Sequence, residues 1–141
     1  MKALTVKHPW AWAIIHGGKD VENRPRPTKY RGLLHIHAGK AMDFDAFTFP
    51  ALEAAENEYV CRGVEGPFDQ INQIDLSTCG EVIGTVEVVG CHSWKECGPG
   101  EGMCSEWAME DYYHWELANA CQIDPFAAKG KLGIWNMDAA A

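Results

Sequence analysis

No apolar run in this 141-residue chain approaches the roughly 18 residues that a helix needs to span a bilayer, which excludes a helical membrane protein. The opening MKALTVKHPWAW has one early lysine but no long apolar stretch and no small-residue cleavage site, so no signal peptide is expected. Six cysteines are present, yet none pairs in CxxC spacing. With no secretion signal, they read as reduced thiols in a cytoplasmic protein. Internal repeats are missing, and low complexity is confined to the Ala139–Ala141 tail. The chain therefore reads as one domain over residues 1–141, near the usual domain size. A hydrophobic share of 47% against 23% charged residues excludes wholesale disorder.

Positive charge is scarce beyond residue 40. The chain has 20 acids, of which only Asp20 and Glu22 lie in the first 40 residues; the other 18 face just Arg62, Lys95, Lys129 and Lys131. The first 40 residues carry eight lysines and arginines, a net +6 inside a chain of net −8. Four of the six histidines (His8, His16, His35 and His37) stand there too. A basic front on an acidic body suits an anionic ligand held at one place, and not an extensive stretch of duplex DNA. The alternative is that the charges merely segregate along the chain. The acidic stretches 53–58 and 106–116 read as solvated surface rather than as a partner face.

Ala3–Val6 is a short strand. Pro9 fits the first position of a helix through His16, stopped by Gly17-Gly18, with Trp10 and Ile14 on one face and Trp12 and His16 on another. Val21–Arg24 is extended. Gly32–Ala38 alternates as a strand, with His35 and His37 sharing a face. Asp43 caps a helix toward Asn57 that Pro50 either breaks or starts. Residues 61–80 read as loop. Gly80–Gly90 is the strongest strand, and Gly84 inside it predicts a bulge or bend. A Gly-rich loop at 98–102 precedes Ser105, the expected cap of a short helix through Met109. Strands over Tyr113–Leu117 and Lys131–Trp135 close the chain. This order predicts α+β with a small, strongly bent sheet.

Lys19, Glu22 and Arg24 lie within six residues, and Glu22 and Arg24 share a face if the segment is extended. They offer a point charge, an acceptor and a planar fork suited to phosphate. Trp10 and Trp12 offer aromatic surface for stacking on a base. The competing reading makes Lys19–Glu22 a surface ion pair and Trp10 a core residue. His35 and His37 have HxH spacing but no evident third ligand, which favours packed histidines. Cys91, His92, Cys97 and Cys104 are dense and lie in a Gly/Pro-rich loop that could bend to bring ligands together, but their gaps match no usual zinc-finger spacing, which favours small buried or loop cysteines over a structural metal. No metal and no cofactor is assigned.

The chain resembles the ASCH domain family (activating signal cointegrator homology) of the PUA-like superfamily. The residues that carry the likeness are His8-Pro9-Trp10-Ala11-Trp12, Gly18-Lys19-Asp20-Val21-Glu22-Asn23-Arg24, Tyr30-Arg31-Gly32 with Ile36-His37-Ala38, the strand Gly80–Val89, His114-Trp115-Glu116-Leu117, and Lys129–Trp135. The resemblance implies a PUA-like bent β-barrel of about five to six mostly antiparallel strands with peripheral helices, and a cleft beside the first helix. Members are tied to RNA binding; one small bacterial branch hydrolyses the acetyl amide of N4-acetylcytidine, and a ribonuclease is also described. The implied ligand-binding residues are Trp10, Lys19, Glu22, Arg24, Tyr30, Arg31 and His37. Two positions depart from the family: His8 replaces the commoner glutamine, and His35 an aliphatic residue.

Two functions follow. One is a binding module for RNA or a modified nucleoside. The other is an amidohydrolase on acylated nucleosides with Lys19 and Glu22 as catalytic groups, Lys19 acting as base. Glu22 stands where that branch has threonine, and a carboxylate cannot replace a hydroxyl one for one. Glu106 and Glu110 are the nearby options for the branch's glutamate.

Overall fold

The structure, a computed structural model, describes residues 1–61, 78–97 and 103–137. Most of the loop expected over 61–80, the Gly-rich stretch 98–102 and the alanine tail lie outside the described residues. The elements run β1 (Lys2–His8), α1 (Trp10–His16), β2 (Val21–Arg24), β3 (Gly32–Met42), a 3₁₀ turn (Phe44–Thr48), α2 (Pro50–Cys61), β4 (Glu81–Ser93), a second 3₁₀ turn (Trp94–Glu96), β5 (Tyr113–Ala127) and β6 (Ile134–Asn136). No described helix is long and apolar enough to cross a membrane.

Asp43 caps the first 3₁₀ turn, its side chain accepting from Asp45 N, and α2 starts afresh at Pro50. Proline thus separates the two helical pieces instead of kinking one helix. Around Ser105 the expected short helix is a turn: Ser105 Oγ accepts from Trp107 N at 3.1 Å, and no helical run follows. Serine caps a turn as readily as a helix. β5 runs ten residues beyond the expected Leu117. Its second half is mostly exposed, so pairing with β4 holds it without a hydrophobic alternation to betray it.

The six strands form one mixed sheet in the order β2-β5-β4-β3-β1-β6. Only β1–β3 is parallel; the other four pairings are antiparallel. The bent, mostly antiparallel sheet implied by the resemblance is present, but the described strands do not close it into a barrel. β2 and β6 are the two ends of the sheet, and no described pairing joins them. The sheet nevertheless curls, because the Arg24 guanidinium on end strand β2 reaches the Thr5 carbonyl on β1, at 3.0 Å. Bulges supply the bend. β4 shifts register against β5 at three places, one of them at Gly84. A Cβ at Gly84 would stand 2.6 Å from both the Cys121 carbonyl oxygen and Ile15 Cδ1, so only glycine lets β5 and α1 approach so closely.

Helix α1 is buried on two sides, as a helix apolar nearly all round must be. Ala11 and Ile14 pack on the sheet core of Leu4, Val6, Leu34, Ile36, Val86 and Val88. Trp12 and Ala13 pack toward Leu52 of α2 and Trp107. Burying each large aliphatic side chain contributes about 1.5–3 kcal/mol, so this two-sided packing fixes α1, and with it both ends of the site.

Candidate functional site

A cleft of about 1370 Å³ opens beside α1. Trp10, Lys19, Glu22, Arg24 and His37 all line it. The C-terminus of α1 sets the position of Lys19. Gly18 takes φ 76°, a left-handed conformation that costs glycine little, and the chain doubles back so that Lys19 N donates to Ala13 O at 3.0 Å. The side chain then turns inward and is 3% exposed, with Nζ donating to Val21 O at 2.6 Å and to Glu22 Oε1 at 2.8 Å.

Strand β2 pairs with β5, placing Glu22 opposite Trp115 and Arg24 opposite Tyr113. Glu22 and Arg24 therefore share a face, and Arg24 Nε donates to Glu22 Oε2 at 3.0 Å. Both carboxylate oxygens of Glu22 are occupied by cations. Burial pushes its carboxyl pKa up, but the Lys19 ammonium and the Arg24 guanidinium outweigh burial and hold it below the ordinary range. The guanidinium also lies over the Trp115 ring, 5.8 Å from its centroid. Lys19–Glu22 is thus a buried pair and not the surface ion pair of the competing reading.

Trp10 is a rigid wall of the cleft. Its Nε1 donates to Asp43 Oδ2 at 2.9 Å, and Phe49 and Trp107 meet it edge-on at 5.3 and 6.5 Å. Lys19 Nζ stands 5.5 Å from its ring centroid. Trp12 does not join it: it is 3% exposed in the core between α1 and α2, because one helical turn cannot point both indoles to one side.

His37 is a packed histidine of the cleft wall. Its Nε2 donates to the Ala128 carbonyl at 2.7 Å, which leaves Nδ1 to accept from Thr5 Oγ1 at 3.1 Å. Gly130 passes so close that a Cβ there would lie 2.8 Å from the His37 ring. His35 does not act with it; its Nδ1 faces the Lys2 carbonyl. His8 is buried and bonds Thr78 Oγ1 through Nε2 at 2.8 Å, outside the cleft lining.

Tyr30 and Arg31 are not among the cleft-lining residues. Tyr30 Oη donates to the Leu33 carbonyl, and Arg31 Nη1 to the carbonyls of Thr28 and Tyr30. They brace the turn into β3 because the extended β2–β3 connection leads them away from α1. Glu106 and Glu110 are exposed and also outside the lining. The structure adds Lys7, Lys40, Lys129 and Lys131 to the cleft, with Glu81. The last two lysines come from the acidic two-thirds of the chain, so segregation along the sequence understates the charge gathered in space. The Lys129-Gly130-Lys131 signal was visible, but only as a strand motif.

A second convergence lies away from the cleft. His92, Cys97 and Cys104 come together, which the favoured loop-cysteine reading did not expect, and the fourth member is His114 on β5. Cys91 instead packs against the sheet core, since neighbours on a strand point to opposite faces.

The ASCH domain family model matches residues 4–127, from β1 to the last residue of β5. No curated protein matches the chain in sequence. The match spans every element that builds the Trp10–Lys19–Arg24 cleft except the 128–133 segment. With most of its length covered, the chain belongs to the ASCH domain family.

Proposed function

We propose that the cleft binds a short single-stranded RNA element, gripping one unstacked base against Trp10 and the adjoining phosphates with lysines. The observation that carries this reading is the shared wall of Trp10 and Lys19. Aromatic faces take any base, and stacking contributes about 1–3 kcal/mol per base. Because Trp10 is already held by Asp43, Phe49 and Trp107, little ordering cost remains for binding. The cleft volume exceeds the roughly 300–1,000 Å³ of a pocket for a drug-sized ligand, which favours an RNA element over a lone modified nucleoside. Membership in the ASCH family points the same way, toward RNA.

The test is fluorescence anisotropy of short labelled single-stranded RNAs, with N4-acetylcytidine and cytidine as competitors, on wild type and Lys129→Glu. Saturable binding with a salt dependence that falls by about one unit of slope in Lys129→Glu supports the reading. No anisotropy change for any RNA at protein concentrations up to about 100 μM, with no competitor present, removes it.

A second reading, amide hydrolysis on N4-acetylcytidine-like nucleosides, is favoured by one observation: a buried lysine amine at the cleft wall. Against it, Nζ is engaged as a donor to two acceptors, and each oxygen of Glu22 already accepts from a cation, which lowers its basicity toward water. Turnover of N4-acetylcytidine by wild type and not by Lys19→Ala would establish hydrolysis. Turnover surviving the substitution would remove Lys19 from the chemistry.

A further inference from the structure

We propose that His92, Cys97, Cys104 and His114 form a structural zinc site that fixes the segment behind the cleft. The sheet brings the two histidines together. His92 on β4 is the cross-strand partner of His114 on β5, and their rings stand perpendicular at 5.0 Å. Cys97 follows the 3₁₀ turn that ends β4, and Cys104 precedes the Ser105 turn. The four donor atoms all lie within 4.8 Å of one another.

Five of the six donor-to-donor spacings lie close to the edges of a tetrahedron, and the sixth, between the two sulfurs, is within 4.8 Å. His92 Nε2 lies 3.2 Å from His114 Nδ1, 3.2 Å from Cys104 Sγ and 3.5 Å from Cys97 Sγ. His114 Nδ1 lies 3.4 Å from Cys97 Sγ and 3.5 Å from Cys104 Sγ. Tetrahedral zinc with Zn–N of about 2.0–2.1 Å and Zn–S of about 2.3 Å has edges of about 3.3–3.8 Å. Two thiolates and two imidazoles in this geometry select zinc over magnesium or calcium, and four protein ligands leave no open position for catalysis.

The outer nitrogens of the two rings decide the tautomers. His92 Nδ1 faces Glu116 Oε2 at 3.0 Å, and His114 Nε2 faces the Met109 carbonyl at 2.7 Å. Both partners are acceptors, so both outer nitrogens carry hydrogen. In neutral rings the inner nitrogens, His92 Nε2 and His114 Nδ1, are then bare lone pairs aimed at each other. A cation between them resolves that opposition, and carboxylate or carbonyl support of the outer N–H is how metal-bound histidines are oriented.

Such an ion would pin residues 103–112. Met109 N donates to Asn23 Oδ1 at 2.8 Å, and Asn23 Nδ2 donates to the Trp107 carbonyl at 2.9 Å, tying this segment to β2. Trp107 backs Trp10, while Met109 and Tyr112 line the cleft.

The test measures zinc by mass spectrometry in the full chain purified under reducing conditions, then exchanges it for Co²⁺. About one zinc per chain is expected, with a tetrahedral cobalt spectrum that includes a thiolate charge-transfer band. Chelation should lower Tm, and added zinc should restore it. Cys104→Ser, at an exposed position, should weaken zinc binding at least about 100-fold. Glu116→Gln should keep the cobalt spectrum but weaken binding about 10–100-fold. The proposal is overturned by a chain whose Tm ignores both chelator and zinc, by metal uptake unchanged in Cys104→Ser, or by a Cys97–Cys104 disulfide under reducing conditions. None of these readouts depends on RNA.

Discussion

The Lys19 ammonium lies 5.5 Å from the centroid of the Trp10 ring, at the wall of one cleft. One helix places both groups: Trp10 opens α1, and Lys19 follows the glycines that close it. Because α1 is packed on both sides, the distance between charge and ring is set by the core and not by loop motion.

Glu22→Gln removes the charge that neutralises a buried lysine. Breaking a buried pair from one side typically costs about 3–5 kcal/mol, since the remaining charge stays desolvated. Urea unfolding of this variant should show a loss of that order, with m unchanged. Lys19→Ala should cost less, because Arg24 still partners the carboxylate.

The depressed Glu22 carboxyl also predicts a pH signature. Its folded value lies below the ordinary 4.5, so the unfolded chain takes up the proton first as pH falls. Its stabilising contribution is complete above about 4.5 and is lost as pH drops through the folded value. The stability difference between wild type and Glu22→Gln should therefore be constant near neutrality and shrink below that pH. A difference that grows on acidification would contradict the assignment.

Trp10→Ala should weaken RNA binding by about 1–3 kcal/mol, roughly 5- to 150-fold in Kd, while Trp10→Phe retains part of it. Asp43→Ala releases the indole N–H and also uncaps the 3₁₀ turn, so it should cost about 1 kcal/mol of stability as well as affinity. If anisotropy titrations of Trp10→Ala match wild type, the indole is only packing.

Gly84→Ala places a methyl 2.6 Å from a backbone oxygen of β5 and from Ile15. Overpacking of this kind costs about 1–3 kcal/mol. Thermal unfolding should show a lowered Tm for Gly84→Ala, and an unchanged Tm would contradict the close approach of β5 and Ile15.

How much was legible follows from how local each signal is. The strand cores of β3 and β4, the PWA helix, the Gly17-Gly18 stop and the bend at Gly84 are written in short-range patterns of period, turn residue and proline, and the structure has all of them. The exposed half of β5 carries no alternation, so its extent depended on β4 lying beside it. Serine at 105 signals a cap without saying what it caps. Tyr30 and Arg31 resemble site residues by motif, yet the turn they brace carries them outside the cleft lining.

By itself the sequence determined the family, the mixed α+β character and the alternation that puts Glu22 and Arg24 on one face, because each depends on neighbours a few residues apart. Only the tertiary structure decided that the sheet stays open at β2 and β6, that Trp12 is core while Trp10 lines the cleft, that Lys129 and Lys131 join the basic front, and that His114 completes the set with His92, Cys97 and Cys104. Those outcomes rest on strand register and on which face of α1 meets which layer, and contacts across tens of residues leave no periodic trace in the chain that makes them.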